Sequence, residues 1–155
     1  MSARPTTGPA ELVHAADMSL RVAEELLAEV QRQAASRDVR LAAAVVDRGG
    51  NVVACMRMDR AQLGAGALAL DKAVTAVSFG HPTSAWLASS APGGSDWGLA
   101  HTLDGRAIVF PGGVPVFAAD ELVGGLGVSG TAAPIDEACA EAAVRAQGLA
   151  CQGPS

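Results

Sequence analysis

Residues 41–58 read LAAAVVDRGGNVVACMRM, and this stretch decides the fold. Positions 41–46 form an unbroken apolar run, the pattern of a strand covered on both faces. Asp47-Arg48-Gly49-Gly50-Asn51 follows, and its two glycines can take the positive φ that a tight hairpin needs. Residues 52–58 make the returning strand. Period-2 alternation sets Val53, Cys55, Arg57 and Asp59 on one of its faces and Val52, Ala54, Met56 and Met58 on the other.

Outward from this hairpin the chain alternates helical and extended patterns. Residues 9–35 carry a helical stripe of Leu12, Ala16, Ala23, Leu26, Leu27, Val30 and Ala34, with charged positions mostly off it. Residues 66–79 are apolar nearly all round, which predicts a helix buried on more than one side. A short further helical turn is expected over 83–88, then a long irregular stretch over 89–104. Three more strands are expected at 106–110, 114–118 and 122–129, the first two joined by a second glycine hairpin, Pro111-Gly112-Gly113. In the last strand Val123, Gly125, Gly127 and Ser129 share a face, and the two bare glycines predict something packed closely on that backbone. Residues 134–149 read as a final helix with Ile135, Cys139, Ala142, Ala146 and Leu149 inward. The order of elements argues for an α+β domain with helices on an antiparallel sheet, not a βαβ nucleotide fold.

The bulk numbers agree with one domain, divided as a disordered lead-in (1–8), a body (9–150) and a tail (151–155). A chain of 155 residues buries about 70% of the surface its unfolded form exposes, so it needs no disulfide or metal staple. Three cysteines with no C-x-x-C pair fit a reducing cytoplasm. A net charge of −5 with scattered basic residues and few aromatics argues against nucleic acid. No apolar run approaches the ~20 residues of a membrane helix.

Candidate chemistry is sparse. Gly127-Val128-Ser129-Gly130 runs toward the N-terminus of the last helix, where free N–H groups could hold an anion, or where the glycines merely pack. Arg57 and Asp59 are either a solvated pair at a strand end or, with Arg57 as a fork, part of an anion pocket. Lys72 among alanines and leucine either snorkels or meets a buried acid. His101, in the long loop, is the best acid–base or haem-ligand candidate of the three histidines; His14 reads as solvated and His81 as a helix-end residue. No zinc spacing and no G-x-S-x-G elbow occurs, so no metal site is assigned.

Several segments together resemble the GlcG/HbpS-like family, also called the haem-degrading domain family. They are Ala44-Val45-Val46-Asp47-Arg48-Gly49-Gly50, Arg57-Met58-Asp59, Lys72-Ala73-Val74-Thr75-Ala76 and Phe110-Pro111-Gly112-Gly113-Val114-Pro115-Val116. Gly124-Gly125-Leu126-Gly127-Val128-Ser129-Gly130 and Asp136-Glu137 complete the set. The resemblance implies an α/β/α sandwich with a five-stranded antiparallel sheet, a profilin-like layer arrangement, assembled as a dimer, tetramer or octamer. It also implies a small-molecule ligand, with haem or another tetrapyrrole as the candidate. Arg57, Asp59, Lys72, Thr75, Gly112, Gly113 and Asp136 stand at the family's shared positions, and Ser129 adjoins them. His101 matches a histidine of a Gly-Leu-His loop with one residue inserted. Two functions follow as expectations. One is an oligomeric binder, its ligand held by Arg57, Asp59, Thr75, Gly112, Gly113 and Ser129 near the Pro111–Gly113 turn. The other is a proton-transferring isomerase or hydrolase of a small organic acid, with Lys72, His101 and Asp136 catalytic beside Arg57.

Overall fold

The computed structural model describes residues 11–154; the lead-in expected over 1–8 lies outside them. Its elements are α1 (Leu20–Ser36), β1 (Ala42–Val46), β2 (Val52–Arg57), α2 (Ala65–Phe79), β3 (Gly113–Ala118), β4 (Glu121–Ser129) and α3 (Ala133–Ala146), with three short 3-10 turns between α2 and β3. The strands pair antiparallel in the order β2-β1-β4-β3. On one face, α1 and α3 close a core with Leu26, Val30, Val45, Leu126, Val128 and Val144. On the other, α2 covers Ala42, Ala44 and Val46. This is the expected α/β/α layering.

The sheet has four strands, not five. Residues 106–110 run without pairing because side chains take over their backbone groups. Thr75 Oγ1 accepts the Ile108 N–H at 3.0 Å, and Thr83 Oγ1 donates to the Phe110 carbonyl at 2.7 Å. Pro111–Gly113 is therefore no hairpin but the entry into β3. The hairpin between β3 and β4 turns instead at Ala119, where φ is 51°.

The hairpin over 47–51 forms as read. Asp47 Oδ1 accepts the N–H groups of Gly49 (2.8 Å) and Asn51 (2.9 Å), and Gly50 takes φ 80°. The alternation on β2 is broken by a bulge, since Val45 faces Ala54 but Val46 faces Val52. Val53 is the extra residue, and it packs beside Ala54 and Met56 while Val52 joins Cys55 and Arg57 on the other side. A second bulge in β4 separates Val123 from Gly125 and Gly127 in the same way.

Two helices differ from the periodic reading. α1 starts at Leu20, capped by Ser19 Oγ accepting the Val22 N–H. Upstream, Asp17 Oδ1 instead accepts the Arg48 N–H at 2.9 Å. That bond pins the chain to the first hairpin and leaves Leu12 and Ala16 exposed. In α3 the buried residues are Asp136, Cys139, Ala140, Ala143 and Val144, whereas Ile135 and Ala146 face out. The buried stripe is rotated from the expected one and includes Asp136, which has a buried partner.

Candidate functional site

That partner is Lys72. The buried faces of α2 and α3 bring Lys72 Nζ within 3.1 Å of Asp136 Oδ2, with side chains only 1% and 2% exposed. The same ammonium donates to the Val128 carbonyl at 2.9 Å and lies 5.3 Å from the centre of the Phe110 ring. Three acceptors thus surround a cation with three protons. Asp136 Oδ1 accepts the Thr131 N–H at 3.1 Å. Burial pulls the Lys72 ammonium below the usual lysine range and pushes the Asp136 carboxyl up, each resisted by the other's charge.

Two glycines close against this pair. A Cβ on Gly112 would stand 2.5 Å from Lys72 Nζ and 2.6 Å from the Val128 oxygen, and one on Gly113 would overlap the Lys72 carbonyl. Their N–H groups are also taken. Glu137 Oε2 accepts from Gly112 at 3.0 Å, and Thr83 Oγ1 accepts from Gly113 at 3.0 Å. Glu137 Oε1 further accepts the Ser84 hydroxyl at 2.6 Å. The N–H groups of the glycine turn are thus taken by Glu137 and Thr83, and that of Thr131, just before α3, by Asp136.

The expected site residues thus divide. Lys72, Asp136, Gly112 and Gly113 converge in one buried knot, with Ser129 buried next to Val128 in β4. Thr75 lies one helical turn along α2 and secures residues 106–108, its hydroxyl donating to the Asp71 carbonyl at 2.7 Å. Arg57, Asp59 and His101 are exposed and stand outside the knot. Asp59 lines a shallow polar depression with Gln31, Asp38 and Arg40, because β2 ends at Arg57 and the alternation stops there. His14 precedes α1 rather than lying on it. His81 follows the Gly80 cap of α2 and packs between Phe79 and Trp86, with ring centres 6.3 and 4.6 Å away. Thr83 and Ser84 were not singled out from sequence, and Glu137 entered only through the Asp136-Glu137 segment of the resemblance.

An open concavity lies elsewhere. Between β2 and the start of α2 is a groove of about 300 Å³, lined mainly by apolar surface from Val52, Cys55, Leu63, Gly66 and Leu70, with Arg57 among its walls. Cys55 is exposed there. Cys139 is buried, and burial pushes the Cys151 thiol up to about 11. No group of three or more metal-binding side chains occurs among the described residues, nor does a helix long and apolar enough to cross a membrane.

A three-layer sandwich whose glycine strand admits a helix, tied by a buried lysine–aspartate pair, defines a narrow class of small α+β proteins. Residues 18–145 match the family described as haem degrading protein HbpS-like, and the chain belongs to that family. It is 33% identical over 129 residues to an uncharacterised 15.0 kDa protein from the dhaT–dhaS intergenic region of Citrobacter freundii, covering 83% of this chain and 91% of that one. It is 30% identical to the corrinoid adenosyltransferase PduO of the same organism, over 85% of this chain but only 39% of that longer protein. Among solved structures, a PduOC–haem complex superposes with a TM-score of 0.84 at 29% identity, covering 88% of this chain and 99% of that one.

Proposed function

We propose that this chain is a small-molecule-binding protein whose ligand is haem or a related tetrapyrrole, received by the groove between β2 and α2. The observation that carries the reading is the composition of that groove: an apolar wall beside a thiol and a guanidinium. A flat macrocycle needs apolar surface, its carboxylates suit the fork of Arg57, and thiolate is an established donor to haem iron. Val52, Leu63 and Leu70 would contact the ring and Cys55 would face the metal. When bound, haem supplies redox and gas-binding chemistry. The chain's own residues hold and orient it. The family's haem-complexed relative supports the ligand class.

The enzymatic alternative needs Arg57, His101, Lys72 and Asp136 around one substrate. The burial of the last two and the exposure of the first two favour the binder.

Titration with haemin, followed at the Soret band, tests the reading. Saturation at one equivalent per chain is expected, with a shifted band in Cys55→Ser and weaker binding in Arg57→Ala. His14→Ala and His101→Ala should leave the spectrum unchanged. Loss of the spectrum in either histidine variant would move the site away from the groove, and absence of saturable binding would remove haem as the ligand.

A further inference from the structure

Between α2 and β3 the chain makes a long excursion whose neck is tied twice. Glu137 bridges Ser84 and Gly112, and Thr83 Oγ1 bridges Phe110 and Gly113. Both ties join one end of the excursion to the other. Beyond the neck, every hydrogen bond of residues 86–105 among the described residues has its partner between Ser84 and Arg106. No salt bridge among the described residues leaves this stretch either. Its last two 3-10 turns, Leu99–His101 and Leu103–Gly105, pack on each other rather than on the sheet or the helices.

Two further features weaken its closed position. Trp86 Nε1 and Ser90 Oγ are buried with no hydrogen-bond partner among the described residues. Opening would give both groups water. At the far end Leu103, Asp104 and Gly105 all have positive φ, at 52°, 56° and 76°, a strained run that only its surroundings hold in place.

From these observations we infer that residues 86–105 form an arm that opens by losing its internal hydrogen bonds as one cooperative unit, while the Glu137–Thr83 clasp keeps its neck shut. The closed arm leans on the body through the packing of Trp86 against Phe79 and His81. Opening is therefore a local event, separate from unfolding.

Native-state hydrogen exchange on the full chain tests this. The amides of Gly94, Asp96, Trp97, Leu99 and Thr102 are expected to exchange as a group, about 100-fold faster than those of Gly112, Gly113 and Val128. Ser90→Ala, which removes an orphan hydroxyl and leaves the Trp86 contact in place, should slow the arm about threefold and leave β4 unchanged. Glu137→Ala should speed Gly112 about tenfold, with the β4 amides showing that the body stays folded. Arm amides exchanging in step with those of β4, or an arm no slower in Ser90→Ala, would overturn the inference.

Discussion

At Gly127 the absence of one carbon lets α2 reach the sheet. A Cβ there would overlap the Ala69 carbonyl, and one at Gly125 would come within 2.5 Å of the Ala73 oxygen. Gly127→Ala is expected to cost more than about 3 kcal/mol in chemical denaturation, because backbone rather than a flexible side chain blocks the space. Gly66→Ala is the control. It lies in α2 with nothing within 4 Å, so it should gain up to about 1 kcal/mol. The ion pair behaves differently from either glycine. Lys72→Met alone strands a buried carboxylate and should cost about 3–5 kcal/mol, whereas Lys72→Met with Asp136→Leu should recover most of that loss. A double variant no more stable than the single one would show that packing, not charge, dominates. The glycine pattern on residues 125 and 127 already announced a close neighbour, and Lys72 among alanines announced a buried acid or an edge. That this acid is Asp136 was not readable from local pattern, since 64 residues separate the partners; only the family resemblance set the two together.

At the scale of elements, local chemistry was legible and competition for backbone groups was not. The 47–51 hairpin follows from its own residues. Backbone N–H donation by Asn51 holds the Asp47 carboxyl below the usual carboxylate range. A group depressed on folding contributes stability above its unfolded value near 4, and loses that contribution as pH falls through the folded value. Asp47→Asn should therefore lower stability at neutral pH, where the carboxylate is charged, change little in acid, and so flatten the acid limb of the stability profile below about pH 4, as read from urea midpoints at several pH values. An unchanged acid limb would show that the loop bonds form equally in the unfolded chain. Residues 106–110 have a strand's composition, yet Thr75 and Thr83 claim their amide and carbonyl groups first. The bulges at Val53 and Val123 were likewise invisible, because alternation read along one strand carries no information about the register of its partner.

Across the whole molecule, the layering, the antiparallel sheet and the family followed from segment order and motif. The candidate ligand position did not. The glycines near Pro111 drew it toward the buried knot, where Glu137 and Thr83 already fill the donors, while the open groove is assembled from β2 and α2, whose contact no local pattern records. The arm has one more consequence, an optical one. The chain has two tryptophans and no tyrosine, and both indoles, Trp86 and Trp97, lie within residues 86–105. Tryptophan emission from this protein therefore reports the arm and its contact with the end of α2, not the sheet. Heated and followed by fluorescence, it should show a midpoint several degrees below the one from far-ultraviolet dichroism, and an experimenter with only a fluorimeter would mistake the loosening of twenty residues for the melting of the fold.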